Sequence, residues 1–468
     1  MCGCGCSGAN APCRSRKTAA SESALVSTRS LRVRRVQGPR TSTSVPAGTA
    51  GLDALRPWLR VQAVNVRRHA AALRPFRRAE FGNGPAAPTE GHLQAANRLI
   101  TSLRRGLIQM TDTVVEQASA AGETPTSARL IETMRSKDGA HDWVQAIERI
   151  WDFYFELFGQ RQSPYGDWLL SCDRIALDCF QRAFTGIGVA KSIPAPPPFS
   201  YMRTGFSPAT FRRAIPLRRL GQRMNPFPLI QLPYHRLVNP WTLGAILHEV
   251  SHNLQNDLGL ARTIPRAIGQ AILAAGHPRA VARTWMSWNR ELFADVSGLL
   301  LGGPAVVASL VDVVGRKPSN VLTFSPRAPH PTPYFRTLIS VELLRRMGFQ
   351  TEARRFRDMW RRLYPDPRRG NIPAVLHQTM DAVNPLVVDV VCFRRYAELG
   401  NRSLHETMAF GTKEQQMIEE CARRLASGTD PGIVPARFLI GAARLALDRR
   451  LARPDAITNS FYKELSRR

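Results

Sequence analysis

Residues 239–259 have the sequence NPWTLGAILHEVSHNLQNDLG. Apolar side chains recur in this stretch at the spacing of one helical face: Leu243, Leu247, Val250, Leu254 and Leu258. The spacing predicts an amphipathic helix with one side in the core. Asn239 is predicted as its N-cap with Pro240 at the first helical position, and Gly259 as the residue that ends it.

The same stretch contains an H-E-x-x-H sequence, formed by His248, Glu249 and His252. Residues four apart lie on one face of a helix, so both imidazoles can reach the same zinc ion. Glu249 lies beside the first histidine and can act as general base on a water molecule activated by the ion, without being a ligand. The alternative is coincidence, which we expect in roughly one chain per hundred of this length.

A catalytic zinc ion needs a third protein ligand and one open position. The continuation with glycine and histidine shortly after the second histidine is absent. Glu291 supplies a carboxylate 39 residues after His252, and Asp295 follows it by one helical turn. Asp295 is predicted to accept a hydrogen bond from the outer nitrogen of a ligand histidine. His277 is a competing third ligand in a Gly-His-Pro turn, but spacing and helical context favour Glu291.

A third element is the stretch 330–336, with the sequence HPTPYFR. Hydrolysis at a zinc ion needs a donor aimed at the oxygen on which negative charge develops. His330, Tyr334 and Arg336 are the candidates for this donor. Taken alone the element has little specificity, because a His-Pro turn before a helix is common.

The three elements in this order resemble the gluzincin metallopeptidases, and most closely the family of the CAAX prenyl proteases and their bacterial relatives. That family combines H-E-x-x-H with a later E-x-x-A-D and a His-Pro whose arginine lies six residues after the histidine, and this sequence has all three spacings. The resemblance implies a zinc endopeptidase that binds one zinc ion per chain through three ligands: His248, His252 and Glu291. It also implies that Glu249 is the base and that Asp295 orients a ligand histidine. His330 or Arg336 would bind the substrate or the oxyanion.

The resemblance covers residues 227–345, which are expected to form a zincin-like metallopeptidase core. The expected fold is mainly α with a small β-sheet (α+β), with helical regions at 51–190 and 346–468 flanking this core. Residues 191–226 are predicted as a Pro-rich basic linker, and residues 1–50 as a disordered basic tail rich in Ser, Thr and Arg. Residues 227–232 are predicted as a short edge strand that aligns an extended peptide.

The chain has 468 residues, of which 65 are basic and 36 acidic, and a net charge of +29. A surplus of this size favours nucleic acid, an anionic membrane surface or an acidic protein as partner. No apolar run of about 18 residues is present, which excludes a simple membrane span and disfavours a membrane-embedded substrate. Residues 296–314 are predicted as core helix with a kink or break. No secretory signal is visible, so a cytoplasmic location is expected, with organelle import through a cleaved N-terminal segment as the alternative.

Three further features are open to two interpretations each. Residues 351–371 interleave arginines with aromatics, which suits a nucleic-acid surface, but a solvated helix face with its aromatics in the core is favoured. The basic segment 212–223 could line the cleft and prefer acidic peptides, but a solvated basic surface is again the alternative. The N-terminal cysteines could bind a metal ion or accept a lipid; they are Cys2, Cys4, Cys6 and Cys13.

The leading hypothesis is therefore a zinc-dependent endopeptidase that acts on a peptide or protein substrate. The second hypothesis is a catalytically idle zincin scaffold that binds nucleic acid or an anionic surface. A third is a zinc hydrolase of a non-peptide bond, because the chemistry of the zinc ion and its water is transferable. Conversion of Glu249 to Gln separates the first hypothesis from the second, since it removes catalysis and leaves binding intact.

Overall fold

The computed structural model describes residues 52–205 and 207–468. The predicted N-terminal tail, with its four cysteines and the alternative of a cleaved import segment, lies outside these residues. The described part is mainly helical with small sheets, as the sequence predicted. None of its helices is long and apolar enough to cross a membrane.

Residues 52–186 form four long helices: α1 (Leu52–Ala72), α2 (Glu90–Glu123), α3 (Ser127–Gly159) and α4 (Gly166–Gly186). The Thr89 hydroxyl caps α2 by accepting a hydrogen bond from the His92 N–H, and Thr126 caps α3 in the same way. α2 and α3 pack along each other through the apolar positions of their helical repeats. Cys172 and Cys179 share the buried side of α4.

The interval 191–226 is not the simple linker that the sequence predicted, because it contributes strands to two small sheets. The strands are β1 (Phe199–Met202), β2 (Ala209–Phe211), β3 (Pro216–Leu217) and β4 (Arg223–Met224). Phe199 packs edge-on against Phe158 of α3 and Tyr201 is also buried, so aromatic burial holds β1 in place. Residues 194–198 keep the Pro-rich, non-strand character expected of the interval.

The prediction of an edge strand at residues 227–232 was wrong. β5 (Leu229–Leu232) is the central strand of a three-stranded sheet, with the order β1-β5-β2. It pairs parallel with β1 and antiparallel with β2. Pro228 immediately precedes the first paired residue, so the strand itself contains no proline and can hydrogen-bond on both sides. The edge strand on the side of the candidate site is β2.

The central helices follow β5: α5 (Tyr234–Leu237), α6 (Gly244–Asp257), α7 (Thr263–Ala274), α8 (Arg279–Ser287), α9 (Asn289–Gly302), α10 (Pro304–Val314), α11 (Pro318–Val321) and α12 (Pro333–Arg346). α6 is the helix that the sequence predicted, but Asn239 does not cap it. A short 3-10 turn at Pro240–Thr242 comes first, and the Asn239 carbonyl accepts the hydrogen bond that closes this turn. α6 therefore begins one turn later, at Gly244, without a side-chain cap.

α6 packs directly on α9 and α10, and glycines permit the close approach. A Cβ atom at Gly302 of α9 would lie 2.6 Å from a methyl of Leu247, and one at Gly244 of α6 would lie 2.7 Å from the Ser309 hydroxyl. The break predicted within residues 296–314 occurs at Gly303, whose φ of 69° separates α9 from α10.

The chain after α12 is again mainly helical: α13 (Gln350–Leu363), α14 (Ala374–Val388), α15 (Leu404–Met408), α16 (Thr412–Ala426), α17 (Phe438–Asp448) and α18 (Pro454–Arg467), with the hairpin β6 (Arg395–Tyr396) and β7 (Arg402–Ser403). Phe356 and Trp360 of α13 are buried, which agrees with the interpretation favoured for residues 351–371. Arg437 donates to Asp178 of α4 and to the Leu301 carbonyl of α9, so the C-terminal helices brace those that carry the site.

Candidate metal centre

α6 brings the two histidines of the H-E-x-x-H sequence together. The ring centroids of His248 and His252 are 4.8 Å apart, and the rings are nearly perpendicular. Val250 and Leu254 are fully buried, so the apolar face of α6 fixes which side of the helix the imidazoles occupy.

α9 adds a carboxylate to the pair. One ligand atom each from His248, His252 and Glu291 can be chosen so that all three lie within 4.8 Å of one another. The three residues are thus close enough to share one metal ion. His277, the competing third ligand, is not part of this cluster.

The three side chains have the donor chemistry that zinc prefers. The Oε2 atom of Glu291 is buried and makes no hydrogen bond, although it lies 3.3 Å from Nε2 of His248. Oε1 of the same carboxylate lies 3.5 Å from Nε2 of His252. A buried carboxylate oxygen without a hydrogen bond is costly unless another group satisfies it. Two imidazoles and one carboxylate are a common ligand set of catalytic zinc, so the residues fit this ion.

Two largely buried residues, Asp295 and Arg336, orient His248 through its Nδ1 atom. Its Nδ1 lies 2.9 Å from Oδ1 of Asp295, one turn after Glu291 on α9. Arg336 of α12 donates to both oxygens of Asp295, from Nε over 2.8 Å and from Nη2 over 2.7 Å. Because a carboxylate only accepts, Nδ1 of His248 carries the proton and leaves Nε2 free to face Glu291.

The residues of the third sequence element occupy three different places. Arg336 lines the cavity beside the site, but its guanidinium is hydrogen-bonded to Asp295. Its direct contact therefore positions the Asp295 carboxylate. His330 is half exposed at the rim of this cavity, with Nε2 3.2 Å from Oε2 of Glu291. Tyr334 does not line the cavity and packs instead against Phe335 and His377.

Burial and charge shift the pKa values of the site strongly. Burial raises the pKa of Glu249 to about 7, against the opposing effect of His248. Burial also lowers the pKa of His252 to about 3. For His248, the lowering effect of burial is outweighed by the nearby carboxylates of Asp295 and Glu291, which raise its pKa. Burial also acts to raise the pKa of Asp295, but the Arg336 guanidinium lowers it to about 2. Glu249 therefore has the near-neutral pKa that suits an acid–base group.

A cavity of about 120 Å³ opens beside these groups. Its lining includes four polar groups of the site, namely His248, Glu249, Glu291 and His330. Apolar side chains of α9 and α10 complete the lining: Leu299, Val306, Val307, Leu310 and Val313. The cavity therefore combines reactive polar groups with apolar surface that suits an apolar side chain.

The strand β2 lies against α6 next to the site. Thr210 Oγ1 accepts a hydrogen bond of 2.9 Å from Nδ2 of Asn253, the residue after His252. The backbone of Thr210 also lies close enough to the Glu249 carboxyl to lower its pKa, so β2 borders the site beside Glu249. Sequence reasoning missed this strand because three residues between Pro208 and Arg212 are too short to show an alternating pattern.

Comparison of the chain with known protein families, with curated proteins and with solved structures found no match. The description of the site therefore depends on its own geometry. Within the described residues that geometry brings together His248, His252, Glu291, Glu249 and Asp295, and it places His330 and Arg336 beside them.

Proposed function

We propose that the protein is a zinc-dependent endopeptidase of the gluzincin type, with His248, His252 and Glu291 as ligands of one zinc ion. The observation that carries the proposal is the convergence of these side chains around a buried Glu291 oxygen that makes no hydrogen bond. The resemblance to the CAAX prenyl protease family, seen in the three sequence elements, supports the same function.

When bound, zinc would polarise the scissile carbonyl and lower the pKa of a water molecule. Glu249 is placed to take the proton of the attacking water, because it borders the cavity next to His248 without being part of the ligand cluster. Its pKa of about 7 lets the same carboxyl release that proton to the leaving amine nitrogen.

Asp295 and Arg336 are positioning residues in this proposal. Asp295 holds the Nδ1 proton of His248, and Arg336 keeps Asp295 ionised and fixed in place. His330 is half exposed, with its Nε2 3.2 Å from Oε2 of Glu291, and is proposed to donate to the carbonyl oxygen as negative charge develops there.

The test begins with zinc content. Protein purified without chelator is expected to contain one zinc ion per chain, and Glu291→Ala is expected to contain far less. Glu148→Ala is the matched control, because Glu148 is exposed on α3 and outside the cluster. Well-folded protein that takes up no added zinc would contradict the proposal, and full zinc content in Glu291→Ala would show that the third ligand is another residue.

Activity is then tested with a library of internally quenched peptides. The zinc-loaded protein is expected to cleave some of these peptides, and Glu249→Gln is expected to bind zinc without cleaving them. A net charge of +29 favours the alternative of an idle scaffold that binds an anionic surface. Zinc binding with no cleavage of any peptide, together with tight binding of RNA or anionic vesicles, would favour that alternative.

A further inference from the structure

Two arginines, Arg212 and Arg290, flank the candidate centre on the side of His252, and their side chains have no partner among the described residues. Arg212 follows β2 directly and is half-buried, while Arg290 precedes Glu291 and is exposed. Within the described residues, neither guanidinium makes a hydrogen bond or an ion pair with another side chain. Their neighbour Arg213 differs, because it donates to backbone carbonyls of the Pro-rich stretch at residues 194–196.

Hydrogen bonds place both arginines at the same end of α6. Thr210, two residues before Arg212, is bound by Asn253. Nε2 of Gln255 donates to Oδ1 of Asn289 over 3.1 Å, which holds the residue before Arg290 beside the last turn of α6. Burial is the main cause that lowers the pKa of Arg212, and repulsion by Arg290 adds to it.

Arg212 is a half-buried cation beside a second cation, Arg290. Because neither guanidinium makes a hydrogen bond within the described residues, both are available to an anion. Asp257 at the end of α6 attracts Arg212 but forms no ion pair with it within the described residues. A carboxylate that reached both groups would relieve the repulsion and satisfy several N–H donors.

The path of β2 determines which part of a substrate would meet these arginines. Ser207 and Pro208 line the cavity together with Gly244 and Ala245 at the start of α6. Thr210 lies beside Asn253, and Arg212 lies further along, so β2 follows α6 from its first turn towards its last. Within the described residues, β2 pairs with β5 on one side only, so its other edge is the one with which an extended peptide could pair.

We infer that, if the proposed endopeptidase function holds, the enzyme selects substrates with an acidic side chain on the N-terminal side of the scissile bond, read by Arg212 and Arg290. A peptide paired antiparallel with β2 has its N-terminal residues near Arg212 and its C-terminal residues near the apolar cavity. Since Glu249 lies opposite Thr210, the acidic residue stands about two residues before the cleaved bond. A large aliphatic residue after the bond contacts the apolar lining of the cavity.

The experiment compares quenched peptides that differ only in Glu, Gln or Lys at that position. Zinc-loaded wild type is expected to cleave the Glu peptide with kcat/KM about tenfold above the Gln peptide, which is the usual effect of one charge-assisted hydrogen bond. Arg212→Gln and Arg290→Gln are expected to lose most of this preference while still cleaving the Gln peptide. Arg105→Gln removes the same charge from the exposed surface of α2 and should keep the full preference.

Equal cleavage of the Glu and Gln peptides by wild type, or an unchanged preference in Arg212→Gln, would overturn the inference and leave the endopeptidase proposal standing. If no peptide is cleaved, the endopeptidase proposal fails and a binding measurement decides the inference. Fluorescence anisotropy of the labelled Glu peptide with Glu249→Gln should show tighter binding than with the Gln peptide, and the added Arg212→Gln change should abolish the difference. No difference in that measurement would also overturn the inference.

Discussion

Removal of the Asp295 carboxylate tests the buried contacts behind His248. Asp295 accepts hydrogen bonds from His248 over 2.9 Å and from two nitrogens of Arg336 over 2.8 and 2.7 Å. The side chains of Asp295 and Arg336 are 4% and 12% exposed, so water cannot replace the lost partner well. In Asp295→Asn the guanidinium stays buried without its counter-charge.

We expect two separate effects of Asp295→Asn. Breaking a buried ion pair by removing one partner costs about 3–5 kcal/mol, so the metal-free protein should lose this much free energy of unfolding. The amide no longer favours the Nδ1 proton of His248 as a carboxylate does, so zinc affinity should fall by about 10–100-fold. The first effect is measured by denaturant unfolding in chelator, and the second by competition with a chromophoric zinc chelator.

A double variant separates stability from metal binding. Asp295→Leu with Arg336→Met replaces the buried pair by apolar groups, which is often neutral or stabilising. It should recover most of the unfolding free energy, while zinc affinity stays low because His248 has lost its acceptor. Asp312→Asn is the control, because it breaks the partly exposed pair with Arg444 and should cost about 1 kcal/mol or less. Wild-type zinc affinity in folded Asp295→Asn would refute the reasoning.

Three further variants test other parts of the structure. Glu249→Gln should bind zinc as the wild type does, and its kcat in a peptide cleavage assay should fall by about 10²–10⁴-fold, as expected when a general base is removed. A smaller loss of kcat would indicate that another residue is the base. Gly302→Ala places a Cβ atom 2.6 Å from Leu247 and should lower the free energy of unfolding by about 1–3 kcal/mol, as measured with denaturant. An unchanged free energy of unfolding would show that α6 and α9 can move apart without cost. His92 is buried between Thr89 and the Pro197 carbonyl, and burial lowers its pKa to about 4 from 6.5. The stabilisation that comes from the neutral His92 ring is complete above pH 6.5 and is lost as the pH falls towards 4. Over this interval, in chelator, the wild type should therefore lose about 3 kcal/mol more free energy of unfolding than His92→Gln. Equal losses in the two proteins would contradict a buried neutral imidazole.

Local patterns in the sequence were sufficient for the helices that carry the site. The apolar repeat of residues 243–258 and the run after Glu291 correspond to α6 and α9, because a face of helical period must be buried. The same periodicity predicted that His248 and His252 share one side of a helix. The break at Gly303 was also visible, since glycines and a proline interrupt an otherwise apolar run.

Other features needed long-range contacts that no local pattern shows. β5 is central because its partners come from residues 199–202 and 209–211, which the sequence presents as part of a Pro-rich basic linker. Asn239 looks like an N-cap, but its carbonyl closes a preceding 3-10 turn instead. The sequence predicted Arg336 to bind the substrate or the oxyanion. Only the packing of α12 on α9 directs its guanidinium to Asp295.

The sequence by itself determined that this chain is mainly helical and that two histidines and a neighbouring glutamate share one helix. It did so because helical periodicity and short-range spacing are properties of contiguous residues. The tertiary structure alone decided that Arg336 hydrogen-bonds Asp295 and that β2 lies beside the site. It also brings Glu291, which the spacing already favoured over His277, into one cluster with the two histidines. These outcomes depend on which helices pack together and on how closely glycines let them approach, and burial across the whole fold decides both.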